Sequence, residues 1–266
     1  MFNCRPWGVC WYIWQKTIMG NDLNNLHLKH ESSLIQVLGS GSIEKNELYY
    51  LDVLYCAIEN VENSEIKSKT PFSDGKEEES IELHISSELQ CQYRMLIKDL
   101  INPLEIRYGL EIRKHVSESA DKIFTNYDVQ PDFVIHNSNE NYKCQLIAGE
   151  IKRLSALTID NFAKDINKLL IYNNDKIWGG NPFIYPVFVV FSTNKDVFQR
   201  TLKNFLNNDR ELEFRNIDAS TTQNSLKSYF FNNIEGIKHI ICFLYQQENS
   251  TSVHNLYDIV KQELTK

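Results

Sequence analysis

The stretch PDFVIHNSNENYKCQLIAGEIKRL, residues 131–154, decides how the rest of the chain is read. Residues 131–136 have the make-up of a short strand, residues 137–141 (NSNEN) of a turn, and residues 142–152 of a longer strand. Side chains alternate faces along a strand, so Glu150 and Lys152 point the same way, about 7 Å apart. Asp132 heads the neighbouring strand, and a hairpin brings it to Glu150 at the sheet edge. Leu146, Ile147, Ala148 and Ile151 make the longer strand a central one. Gly149 is a small residue where backbone or substrate can approach closely. Carboxylates at the end of such a strand are costly unless an ion or a base compensates them.

The chemistry follows from the donor types. Asp132, Glu150 and the peptide carbonyl of Ile151 are hard oxygen ligands suited to Mg²⁺ or Mn²⁺. A divalent ion there activates water and stabilises charge on a phosphoryl oxygen, and Lys152 is placed to orient the water or neutralise the phosphorane.

Working outward, Ile85, Leu89, Tyr93, Leu96, Ile97 and Leu100 recur at helical spacing before Pro103. Residues 108–116 suit a strand. Ile159, Phe162, Ile166, Leu169 and Leu170 predict a helix over 158–172, with Asp160 in its first turn. PVFVVFS at 186–192 reads as a buried strand, Val197, Leu202, Phe205 and Leu206 as a helix, IKHIICFLY at 237–245 as another buried strand. Val253, Leu256, Tyr257, Val260 and Leu264 predict a closing amphipathic helix, while 207–236 carries no decisive pattern. This order predicts an α/β domain with a mixed central sheet flanked by helices.

The expected organisation is an N-terminal extension over 1–61, an acidic linker or mobile loop over 62–80, and the main domain over 81–266. Residues 1–85 hold 7 Lys and Arg against 13 Asp and Glu, the remainder 21 against 22. The net charge of −7 therefore sits in the N-terminal third, and a generic polyanion binder, which would be basic throughout, is excluded. Any nucleic acid must be held by a local patch. The six Cys form no CxxC pair, which predicts free buried thiols in a reducing, intracellular compartment, cytoplasmic or nuclear in a eukaryote. No apolar run reaches membrane-spanning length, the start lacks the features of a signal peptide, and no membrane partner is expected.

Pro131-Asp132 followed after a hairpin by Gly149-Glu150-Ile151-Lys152 resembles the PD-(D/E)XK nuclease superfamily, the restriction-endonuclease-like fold. The resemblance covers about residues 82–193, where the element order matches that family's α-β-β-β-α-β core. It implies that Asp132 and Glu150 are metal ligands and that Lys152 is the catalytic lysine. It further implies an acid from the first core helix, for which Glu88 is the match and Glu82 the second choice. The helix after the motif often lends a polar or basic residue; Lys168 takes that place, with Tyr172 one turn on. The Gln usual in that helix in RecB-like members is missing, so that branch is not assigned.

Arg94, Lys143 and Arg153 lie in sequence around these residues and can pair with phosphates, although interleaved acids equally allow a plain mixed-charge surface. The expectation is thus a Mg²⁺- or Mn²⁺-dependent nuclease acting on nucleic acid, DNA first, with a homodimer as one possible assembly. The rival is a nuclease-like fold that binds nucleic acid or a protein without cutting. Gly39-Ser40-Gly41-Ser42 lacks the rest of a nucleotide-binding loop and reads as a turn. His27 and His30 have ligand-like spacing, yet no further His or Cys completes a set, and no metal site is expected there.

Overall fold

The computed structural model describes residues 28–39, 45–64, 105–108, 131–136, 145–174, 182–216, 220–246 and 250–265. The chain divides into two units, 1–106 and 107–266. No helix among the described residues is long and apolar enough to cross a membrane.

In the first unit, α1 (Glu31–Leu38) precedes α2 (Lys45–Ser64). Gly39 ends α1 at φ 82°, a left-handed conformation that favours glycine, and its N–H closes the last turn on the Ile35 carbonyl. Every residue from Leu48 to Ile58 is buried, as expected of a helix apolar nearly all round. The charged member of that run is Asp52, whose two oxygens accept from the backbone N–H groups of Lys29 (3.2 Å) and His30 (2.7 Å) at the start of α1. α2 runs on through Ser64, into the stretch whose composition suggested a linker.

The second unit is α/β. Strand β1 (Glu105–Tyr108) straddles the division and lies at the sheet edge. The sheet then continues β2 (Phe133–His136), β3 (Gln145–Arg153), β4 (Tyr185–Phe191), β7 (Ile241–Gln246) and β8 (Ser250–Asn255). β2 pairs antiparallel with β3, β3–β4 and β4–β7 are parallel, and β8 returns antiparallel on β7, so the sheet is mixed. Parallel neighbours need long crossovers. The first is α3 (Ile159–Tyr172). The second contains α4 (Lys195–Leu206), a separate hairpin of β5 (Glu211–Arg215) and β6 (Thr221–Ser225), and the short helices α5 (Leu226–Asn232) and α6 (Ile234–Ile237). The chain closes with α7 (Leu256–Leu264).

All seven residues of β4 are buried, the run expected of a parallel strand covered on both faces. Val134, Ala148, Phe188, Val190, Cys242 and Leu244 form the sheet's contribution to the main core, packed with residues of α3, α4, α5 and α7. Phe162 sits among them, edge-on to Phe188 and Phe198. α3 starts where Thr158 accepts a hydrogen bond from the Asn161 N–H.

Two expected boundaries move. Ile237 ends α6, and the strand begins only at Ile241, because Lys238 and His239 form the intervening turn. Val253 belongs to β8 and not to the closing helix, which starts at Leu256 after the Asn255 side chain caps it. Of the strand expected over 108–116 only Tyr108 is described, as the last residue of a strand that begins at Glu105; residues 109–116, like the helix expected over 85–100 and the turn at 137–141, lie outside the described residues.

Candidate active site

Asp132 and Gly149 are joined by an N–H···O bond of 2.9 Å, one step before β2 begins at Phe133. Beyond that point the Asp132 side chain continues the ladder: Oδ2 accepts the Ile151 N–H at 2.6 Å. A backbone amide of β3 thus holds this carboxylate against residues 150–151. Gly149 is required by packing. A Cβ there would lie 2.1 Å from the Phe133 ring, so the space opened by the glycine is filled by its cross-strand partner.

Strand alternation turns Glu150 and Lys152 toward α3. Glu150 is completely buried. Facing it along α3 are Asp165, Lys168 and Tyr172, at i, i+3 and i+7 of one helical stripe. Lys168 Nζ is 2.7 Å from Glu150 Oε2 and 3.4 Å from Asp165 Oδ1, and Lys152 Nζ is 3.9 Å from Asp165 Oδ2. Three carboxylates and two ammonium groups therefore meet at the end of β3, and Asp165 bridges the two lysines. Lys152 and Lys168 keep 15% and 12% of their side chains exposed, so the cluster reaches solvent through its cations.

The electrostatics follow from burial. Desolvation pushes the Glu150 carboxyl well above the usual range, the charge of Asp132 adds to this, and Lys168 opposes it. Burial likewise raises Asp165, against Lys168 and Lys152. Burial would lower Lys168, but Glu150 and Asp165 outweigh it and hold the ammonium charged. The Tyr172 phenol is raised first by complete burial, then by the charges of Glu150, Asp132 and Asp165.

No family model, no curated protein and no solved structure matches the chain. The site therefore stands on its own geometry.

Asp132, Glu150, Ile151 and Lys152 come together. Lys168, expected to contact phosphate, has its ammonium turned inward onto Glu150 and Asp165, because a fully buried carboxylate is the stronger attractor. Arg153 is partly exposed at the end of β3, one residue out of phase with Glu150 and Lys152 and so on the other face of the strand. Glu88, Glu82 and Arg94 fall outside the described residues, as does Lys143. Sequence reasoning passed over Asp165. Its signal was present: Asp165 is three residues before Lys168 and flanks the apolar stripe of Phe162, Ile166 and Leu169.

The donor set suits a hard divalent cation. Glu150 Oε1 and Asp165 Oδ2 are buried with no hydrogen bond among the described residues, which leaves inward-facing oxygen lone pairs where a cation would be favoured.

Proposed function

We propose that the chain is a metal-dependent nuclease of the PD-(D/E)XK type that hydrolyses phosphodiester bonds in nucleic acid, with DNA as the preferred substrate. The observation that carries this reading is the convergence of Asp132 and a fully buried Glu150 beside Lys152, with one Glu150 oxygen carrying no hydrogen bond among the described residues. Asp132, Glu150 and the Ile151 carbonyl are the groups to hold Mg²⁺ or Mn²⁺. When bound, the ion supplies Lewis acidity toward a phosphoryl oxygen and lowers the pKa of a coordinated water.

The remaining roles belong to the side chains. Lys152 reaches solvent from the rim of the cluster, where its charge can meet a phosphate and favour the negative charge that grows on it during attack. Asp165 is a positioning residue, since it touches both ammonium groups and fixes Lys152 relative to Glu150. Lys168 holds Glu150 in place and opposes the rise that burial imposes on its carboxyl.

One observation favours the second reading, a nuclease-like module that binds without cutting: Lys168 already neutralises Glu150 internally. The two are separated by incubating the protein with plasmid, single-stranded DNA and RNA, in Mg²⁺, Mn²⁺ or EDTA, beside Glu150→Gln and Lys152→Ala. Cutting that needs metal and vanishes in both variants supports the enzyme. Retention of nucleic acid without cutting in any metal supports the module. Neither cutting nor binding sinks both.

A further inference from the structure

A second group of ligating side chains lies in the first unit. His30, at the start of α1, and Asp52 and Cys56, one turn apart on α2, each offer one ligand atom, and these atoms all lie within 4.8 Å of one another. Asp52 and Cys56 are buried, as is the His30 Nε2 atom. Glu59 continues the same stripe of α2, at i, i+4 and i+7 from Asp52, and its Oε2 is 3.3 Å from His30 Nε2.

We propose that His30, Asp52 and Cys56 bind a zinc-class divalent metal ion, with Glu59 as the outer carboxylate that orients the His30 ring. The donor types select the ion. A thiolate beside an imidazole suits Zn²⁺ and its borderline relatives and disfavours Mg²⁺ and Ca²⁺. Metal-bound imidazoles almost always carry a carboxylate, carbonyl or water on the second ring nitrogen, which is the place Glu59 takes. Asp52 is fixed before any ion arrives: its oxygens hold the Lys29 and His30 N–H groups, and each keeps a lone pair for coordination. The His30 ring is fixed as well, stacked on Tyr55 with centroids 3.7 Å apart. Coordination releases the Cys56 thiol proton to solvent, so uptake is accompanied by proton release. The geometry gives the site three protein ligands, and the fourth tetrahedral position falls to water or another ligand. The ion would tie the start of α1 to the middle of α2. This inference is independent of the nuclease reading.

The test uses the full chain, stripped with EDTA, desalted and titrated with Co²⁺ and then Zn²⁺. The expected result is one thiolate-ligated Co²⁺ per chain, counted from the thiolate-to-cobalt charge-transfer band and displaced by Zn²⁺. The band disappears in Cys56→Ser and remains in Cys242→Ser and Glu150→Gln. His30→Gln lowers affinity by at least about tenfold, and Glu59→Gln by about tenfold. Zn²⁺ raises the melting temperature of the parent chain and not that of Cys56→Ser. Circular dichroism of each metal-free variant verifies its fold, and Cys56→Ala replaces Cys56→Ser if the latter does not fold. A folded parent chain without the thiolate band overturns the proposal. So does a band that survives Cys56→Ser, or one unaffected by both His30→Gln and Asp52→Asn.

Discussion

Replacing Lys168 with Met is the sharpest test of the cluster at the end of β3. The Lys168 ammonium lies 2.7 Å from a carboxylate that has no exposed surface. Met keeps most of the stem volume and removes the charge, so Glu150 is left buried beside Asp132 and Asp165 without its nearest cation. Breaking a buried pair from one side costs about 3–5 kcal/mol. For a unit of this size a loss of that order lowers the melting temperature by roughly 6–20 °C. Glu150→Gln in the Lys168→Met background removes the stranded charge and recovers much of the loss, giving a coupling free energy of at least about 1 kcal/mol in a double-mutant cycle. Mn²⁺ added to Lys168→Met restores stability in proportion to its binding, because a metal ion can replace the missing ammonium charge. Chemical denaturation of the four proteins, with and without Mn²⁺, measures all three quantities. A Lys168→Met chain within about 0.5 kcal/mol of the parent, with no coupling to Glu150, would refute the claim that this ion pair organises the site.

Asp165→Asn frees Lys152 and Lys168 from their common anchor; the proposed nuclease activity is expected to fall about tenfold or more while Asp165→Glu recovers part of it, and equal activity in all three forms removes Asp165 from the site. Gly149→Ala drives a methyl into the Phe133 ring and is expected to lower stability by at least about 1–3 kcal/mol, read from the urea midpoint, with Phe133→Leu relieving the loss. Asn167 links α3 to the backbone of Arg215 through bonds of 3.0 and 2.8 Å and donates to the Tyr229 hydroxyl, so Asn167→Ala is expected to cost about 1–3 kcal/mol, measured in the same assay. His254 is held below its ordinary pKa by burial and by the charge of Lys195. The unfolded chain therefore binds the extra proton first: stability is unaffected above about pH 6.5 and falls as pH drops from there through the folded-state value, a slope that His254→Gln flattens.

The core strands were legible because they carry the plainest signal. PVFVVF and IICFLY can hardly be anything but covered strands, and the helix over 158–172 announced both its stripe and its first-turn acid. β8 was hidden because STSVHN offers one large apolar side chain, and pairing with β7 supplies what its composition does not. The β5–β6 hairpin escaped for a related reason. ELEFR alternates, but its partner TTQNS has no apolar residue at all. Within the site, Asp132, Glu150 and Lys152 followed from period-two geometry over a few residues. Asp165 and the inward turn of Lys168 depend on which face of α3 lies over the sheet, which a one-dimensional pattern leaves open whenever a helix is buried on more than one side. His30, Asp52 and Cys56 were out of reach because two helices must pack before His30 meets residues 22 or more positions further along the chain.

The parallel pairing of β4 with β7 joins Val187 to Ile241 across more than fifty intervening residues. Little of that register rewards the chain until a helix, a hairpin and two short helical turns have been arranged outside it. The centre of the sheet is therefore expected to zip up late, after the β2–β3 hairpin and the local helices, with a refolding rate limited by loop closure over that crossover. Until then the IICFLY segment is an uncovered apolar strand, which makes the ribosome-bound or newly released chain a natural client for holding chaperones.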